Sequence, residues 1–277
     1  MNPLVLCLWI CGALVAATWL ASLLTREYSW VDRIWSLAPI AYVWVFAAAS
    51  GFSDPRLLIM AVLVTLWGTR LTFNFARKGG YAPGGEDYRW AVLRSRMSPA
   101  AFQAFNFFFI ALYQNALILG ICLPAWTVYD NGGAALNGWD IVLAVLFLLF
   151  LAGETAANQQ QWNFHQWKKR ELAAGRTVSP GFLTRGLFRF SRHPNFFFEQ
   201  AQWWVFFLFA VTATGQLLHW SLLAPVLLTL LFVGSTVFTE SLSRARHPEY
   251  ADYQAATSPV IPWFPRKHAD PTPATTG

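Results

Sequence analysis

Seven stretches of mostly apolar residues, each close to the length of a bilayer span, dominate this chain of 277 residues. They fall near 3–24, 34–52, 57–77, 103–127, 139–162, 196–215 and 218–240. A helix needs about 20 such residues to cross the hydrocarbon layer. Backbone groups in lipid must be satisfied within the spanning segment, so runs of this length predict helices rather than open strands. The predicted fold is therefore all-α: a polytopic membrane protein built as one seven-transmembrane-helix bundle over residues 1–267. The Pro/Thr/Ala-rich tail, 268–277, is expected to stay disordered. Composition agrees, since only 12% of residues are charged against about 25% in a soluble domain. That balance excludes a secreted disulfide scaffold, a coiled coil, a disordered chain and a soluble Rossmann enzyme.

Lys and Arg are placed unevenly between the spans, and that asymmetry predicts orientation. With the N-terminus outside, the only basic residue in an outer loop is Arg56. The inner connections hold Arg26 and Arg33, then Arg77, Lys78, Arg89, Arg94 and Arg96. Further inward-facing bases run from Lys168 to Arg192 and from Arg244 to Lys267. The C-terminus is thus expected in the cytoplasm. The net charge of +6 reads as a topology signal, so no nucleic-acid partner is expected. Cys7, Cys11 and Cys122 all sit in apolar runs as reduced packing residues, and no zinc-ligand spacing is present. No metal and no protein partner are implied.

Ionisable groups at membrane depth are costly and point to function. Arg70, Glu154, Glu199 and Glu240 all lie toward the inner ends of their spans. Glu154, Asn158, Gln161 and His165 follow one helical stripe, and Arg70–Asn74 and Asn195–Glu199 repeat its i, i+4 relation. Two readings apply: polar glue between helices, or a ligand pocket open to the cytoplasm. In the stretch Arg192-His193-Pro194-Asn195, Pro194 suits a first helical position. A helix start beside Arg192 and His193 is a natural anion site. The segment from Arg244 and Arg246 through His247 to Tyr250 and Tyr253 is either a lid over a nucleotide or a helix on the membrane surface.

The stretch Arg192-His193-Pro194-Asn195-Phe196-Phe197-Phe198-Glu199 and the tail Arg244-x-Arg246-His247-Pro248-Glu249-Tyr250-x-x-Tyr253 resemble the steroid 5-alpha-reductase-like membrane family, in its bacterial branch. Trp30-Val-Asp32-Arg33, Arg70-Leu-Thr-Phe-Asn74 and Glu86-Asp87-Tyr88-Arg89-Trp90 extend the resemblance to the N-terminal half. The resemblance implies a seven-helix bundle that binds NADPH from the cytoplasmic side. It also implies hydride delivery to the beta carbon of an enone lipid, a 3-oxo-delta-4 steroid or similar substrate entering from the bilayer. On this reading Asn195 and Glu199 contact the cofactor, as do Glu154, Asn158 and Arg70. Asn74, His165, Lys168 and Lys169, with Arg192, His193, Arg244, Arg246, His247, Tyr250 and Tyr253, complete its cofactor-binding set. Where the steroid enzymes carry a carbonyl-binding Tyr this chain has Trp67, and Asp32 and Tyr88 are the nearest catalytic acid and phenol. Any dinucleotide is held without a Rossmann motif, since no G-x-G-x-x-G is present.

A related pattern occurs in membrane methyltransferases of the isoprenylcysteine or phospholipid type, which use S-adenosylmethionine. Their doubled terminal acid is reduced here to Glu240, because position 241 is Ser. A non-enzymatic lipid-binding or transport bundle is the third class, but neither an internal repeat nor paired broken helices support it.

Overall fold

The computed structural model describes residues 1–132 and 135–266. The tail over 268–277 lies outside the described residues, as do 133–134. Among the described residues every regular element is helical. Five helical stretches are long and apolar enough to cross a membrane: Pro3–Thr25, Pro55–Arg77, Pro99–Asp130, Gly138–Ala173 and Trp220–Arg246. The chain is an integral membrane protein of all-helical fold.

In chain order the elements are α1 (Pro3–Thr25), the short α2 (Trp30–Ile34), α3 (Ala38–Ala49) and α4 (Pro55–Arg77). Then come α5 (Tyr88–Ser95), α6 (Pro99–Phe105), α7 (Gln114–Asp130), α8 (Gly138–Ala173), α9 (Pro194–Thr214), α10 (Leu223–Arg246) and α11 (Tyr250–Ala256). Prolines open α1, α3, α4 and α6 and stand first in α9. In this first turn the missing N–H removes no helical bond. Asp54 caps α4 by accepting from the Arg56 and Leu57 N–H groups. The apolar run over 34–52 yields only the 12 residues of α3. Such a helix spans about 18 Å, which is short of the hydrocarbon layer. Its far end turns at Gly51 and Phe52, both with positive φ.

The chain divides into two compact units. The first comprises residues 1–151 and 200–230. Here α4 approaches the start of α3 at Gly68, where a Cβ would stand 2.4 Å from the Ser36 carbonyl oxygen. Trp44 Nε1 donates to Thr65 Oγ1 at 2.9 Å, and the Ser36 and Thr72 hydroxyls share a bond of 2.7 Å. From the α6–α7 rod, Asn106 and Asn115 donate to Ser22 and Thr18 of α1 at 2.9 and 3.2 Å. These bonds are the interhelical glue expected of polar residues in apolar helices. Between α6 and α7, residues Asn106–Tyr113 widen into a π-helical stretch. Phe105 and Phe109 stack there at 4.8 Å, and Phe109 and Tyr113 at 5.4 Å.

The second unit comprises residues 152–199 and the described residues from 231 onward. It contains the C-terminal half of α8, the irregular segment after it, the first turns of α9, the end of α10 and α11.

Candidate functional site

Within the second unit, α8 and α9 meet at Gly153, where a Cβ would come within 2.6 Å of the Phe198 ring. Glycine is needed there because the aromatic ring occupies the space of any side chain. This close approach sets the neighbouring acids, Glu154 and Glu199, at the same level of the two helices. Both are buried, at 3% and 6% exposure, and Asn158 beside them is buried at 4%. Asn158 Nδ2 donates to Glu154 Oε1 at 3.3 Å, as the i, i+4 spacing predicts. Asn195, one turn before Glu199, is half-buried in the first turn of α9. The helix begins at Pro194, where the sequence placed it.

A second group forms around Glu240, on the last turns of α10. Arg192 Nε donates to Glu240 Oε1 at 2.6 Å and Nη2 to Oε2 at 3.0 Å, a two-pronged ion pair. His193 Nε2 lies 3.1 Å from Glu240 Oε1, and Gln254 Nε2 donates to Oε2 at 2.7 Å. Arg192 Nη1 donates to the carbonyls of Gln254 and Thr257. Every guanidinium nitrogen of Arg192 is thereby committed to a protein acceptor. Arg192 and His193, expected to flank an anion, are here set against Glu240 and act as a tie between these segments. Backbone bonds reinforce it, with Arg192 N–H donating to the Ser258 carbonyl at 2.8 Å and Trp263 N–H to the Phe190 carbonyl at 2.9 Å.

The C-terminal aromatic residues close this unit. Phe182 packs against His247, Tyr250 and Tyr253 at 5.6, 5.0 and 5.5 Å between ring centres. Tyr253 donates its hydroxyl to the Phe188 carbonyl. Burial pushes both tyrosine phenols above their ordinary value, so they act as neutral groups. His247 sits against Gly181, where a Cβ would meet its ring at 2.4 Å. Lys168 Nζ donates to the Gly181 carbonyl at 2.6 Å. His165, Lys169, Arg244 and Arg246 are exposed.

The remaining candidates belong to the first unit. Arg70, Asn74 and Arg77 follow one stripe of α4, and Arg77 Nη2 donates to Asn74 Oδ1 at 2.8 Å. The guanidinium nitrogens of Arg70 are withdrawn from the surface. Asp32 accepts a hydrogen bond from Trp90 Nε1 at 3.1 Å, and burial pushes its carboxyl above the ordinary value. Tyr88 is 50% exposed at the start of α5. Around Asp32, the 25–33 connection is clasped to the 79–90 connection. Glu27 pairs with Arg33 at 2.6 Å and accepts from Gly84 N–H at 2.8 Å. That backbone N–H first, and Arg33 second, hold the Glu27 carboxyl below its usual range. Tyr28 N–H donates to Glu86 at 2.6 Å, and Asp87 N–H to Ser29 Oγ at 3.0 Å. The motifs Trp30-Val-Asp32-Arg33 and Glu86-Asp87-Tyr88 are thus two sides of one loop clasp. Trp67 is fully buried against Trp203 at 4.8 Å.

Sequence reasoning missed a cleft of about 580 Å³ in the second unit. Gln160, Asn163, Phe164 and Trp167 of α8 form one wall, and residues 179–186 the other. Its signal was present as a second i, i+3, i+4, i+7 pattern on α8, lying beside the more conspicuous acidic stripe.

Apolar spanning helices that carry a buried acid–amide group and a basic, aromatic C-terminal cap define a class: a polytopic membrane protein with an internal polar site. Residues 18–257 match a family model described as a protein of unknown function, DUF1295, and the chain belongs to that family. It is 35% identical over 284 residues to an uncharacterized protein, C594.04c, of Schizosaccharomyces pombe. That alignment covers 97% of this chain and 82% of the relative. No solved structure matches.

Proposed function

We propose that this protein is an NADPH-dependent membrane reductase of the carbon–carbon double bond of an enone lipid, with its cofactor site facing the cytoplasm. One observation carries the reading: Glu154, Asn158 and Glu199 are buried where α8 and α9 meet inside otherwise apolar helices. Sequestered polar groups at such a depth mark ligand sites. The donor set fits the cofactor. Carboxylates and amides in a low-dielectric site suit the carboxamide and ribose hydroxyls of a nicotinamide nucleoside. The exposed bases His165, Lys169, Arg244 and Arg246 suit its phosphates. They also favour NADPH over NADH, because a 2′-phosphate adds charge for them to neutralise. Asn195 and Glu199 are assigned to hold the nicotinamide half.

When bound, NADPH supplies the hydride for the beta carbon. The protein's part is to exclude water and to steady the carbonyl oxygen, where negative charge develops. Asp32 and Tyr88, the catalytic candidates of the resemblance, belong to the first unit, where burial raises the Asp32 carboxyl so that it keeps a proton more readily than an ordinary aspartate. Tyr88, half exposed, is the weaker candidate. The seven-helix count, with the N-terminus outside, rests on the Lys and Arg asymmetry, on α9 as a further span, and on α2 and α3 crossing together over residues 30–49.

The two buried acids also favour a second reading. A cationic ligand such as S-adenosylmethionine would be held by the same carboxylates, in a methyltransferase. Thermal stabilisation of the detergent-purified protein separates the readings. A ligand at 100 times its dissociation constant adds about 2.7 kcal/mol. NADPH is expected to stabilise, with NADH weaker and S-adenosylmethionine inert. Glu199→Ala and Asn195→Ala should weaken NADPH roughly ten-fold to a hundred-fold while the protein stays monodisperse. Stabilisation by S-adenosylmethionine alone moves the assignment to the second reading. Parental NADPH binding in Glu199→Ala removes the site.

A further inference from the structure

The cleft on α8 uses a different face of that helix from the acidic stripe. Gln160, Asn163, Phe164 and Trp167 centre on a direction about 140° from that of Glu154, Asn158, Gln161 and His165, at 100° per residue. The two sets therefore serve two sites. Depth along α8 indicates what the cleft meets. Trp139 and Trp167, at 67% and 43% exposure, lie 28 residues apart on one continuous helix. That is ~42 Å at 1.5 Å per residue, close to the ~40–45 Å thickness of a bilayer including both headgroup layers. Exposed tryptophans at such a separation mark the two interfaces, so the cleft opens at the headgroup level of one leaflet.

Its chemistry is graded to match. Phe164, Trp167 and Leu183 offer apolar wall, Gln160 and Asn163 offer hydrogen-bonding groups, and Arg185 stands exposed at the lining. The segment 163–192 carries seven basic residues (Lys168, Lys169, Arg170, Arg176, Arg185, Arg189 and Arg192) against one acid, Glu171. The opposite wall is held in place by Gly186, whose φ of +64° is a left-handed conformation. A Cβ there would stand 2.4 Å from Gln160 Oε1, the atom that accepts from Leu187 N–H at 2.9 Å. Glycine thus lets the 179–186 segment lie on α8 and keep the cleft open.

We infer that this cleft binds an anionic phospholipid of the adjacent leaflet. Its phosphate meets Arg185, its glycerol esters meet Gln160 and Asn163, and its first acyl carbons meet Phe164 and Trp167. The site is independent of the nucleotide reading, because it lies on the other face of α8 and needs no cofactor.

Titration of the full-length, detergent-purified protein with phosphatidylglycerol or phosphatidylcholine, read by native mass spectrometry, tests this. A surface Arg is worth about five-fold in affinity for an anionic lipid. Phosphatidylglycerol is expected to bind at least five-fold more tightly than phosphatidylcholine, and Arg185→Gln to erase most of that preference. Asn163→Trp, which fills the cleft from an exposed position, should weaken both lipids. Equal binding of the two lipids, or an unchanged preference in Arg185→Gln, overturns the proposal. So does displacement of phosphatidylglycerol by millimolar inorganic phosphate, which would make this a site for free anions. If Arg185→Gln instead loses stabilisation by NADPH, the cleft belongs to the nucleotide site and the lipid assignment fails.

Discussion

Two buried arginine–carboxylate pairs, one in each unit, show how differently the same chemistry can be used. In the first unit Arg56 Nε and Nη2 donate to Asp140 at 2.7 and 2.8 Å, and both side chains are sealed at 1% and 0% exposure. Asp140 also accepts from Thr212 Oγ1 at 3.0 Å and Asn137 N–H at 2.9 Å, while Arg56 Nη2 reaches the Ala135 carbonyl at 3.1 Å. The two charged side chains are sealed, although Ala135 and Asn137 stand at the surface. In the second unit Arg192 and Glu240 keep 8% and 10% exposure. With their partners His193 and Gln254 they draw on three separate stretches of chain, at 192–193, 240 and 254. The sealed pair fastens the end of a bundle, whereas the wetter one ties the start of α9 to the end of α10 and to α11. Only the second adjoins groups to which function is assigned here.

That contrast is open to measurement. The largest expected effect is from Arg56→Met, which strands a dry carboxylate and should cost about 3–5 kcal/mol. Arg192→Met should cost less, about 2–3 kcal/mol, because His193 and Gln254 still satisfy Glu240. Denaturant unfolding in one detergent compares them, and equal losses would show that the difference in sealing has no energetic meaning. Next comes Gly186→Ala. The left-handed backbone costs about 1–2 kcal/mol with a Cβ, and the Gln160–Leu187 bond is pushed apart. Hydrogen exchange should accelerate over 179–187 while Pro55–Arg77 keeps its protection. Loss of protection in both would mean that the two regions unfold as one.

Asp32→Asn gives the smallest effect, visible as a slope with pH. Burial raises this carboxyl above 3.8 in the folded protein. Its stabilising contribution is therefore complete below that value and is lost as pH rises through the folded one. The parent should lose melting temperature as pH climbs from 4, and the variant should lose less over the same window. Parallel profiles would show that Asp32 is not held in its protonated form.

Five of the seven expected spans were legible because an apolar run of bilayer length has few alternatives, and prolines marked several starts. α3 was over-read: a turn over 35–37 and the positive-φ pair Gly51–Phe52 confine the helix within the 34–52 run to 38–49, which hydropathy does not register. Pairings across long separations were silent. Arg56 and Asp140 lie 84 residues apart, and Arg192 and Glu240 lie 48 apart. No periodicity in either segment names its partner. Thus the acidic stripe on α8 could be read from spacing alone, while the role of Arg192 could not. The loop clasp was hidden for the same reason. Its two motifs read as signatures of chemistry, and the structure makes most of them hydrogen-bonded fasteners.

The wide turn between α6 and α7 bears on how such chains change length. A π-helical stretch holds more residues per turn than the α-helix around it, with bonds from i to i+5. Removing one residue from Asn106–Tyr113 would tighten it to α-helix, leaving the helices on either side in phase. The same deletion in the middle of α4 would turn everything beyond it by about 100°, swinging Arg70 and Asn74 together away from the groups they now face. Relatives one residue shorter should therefore show their gap within 106–113 and keep Asn115 against Thr18, which locates where the alignment of this family can slip without the bundle following.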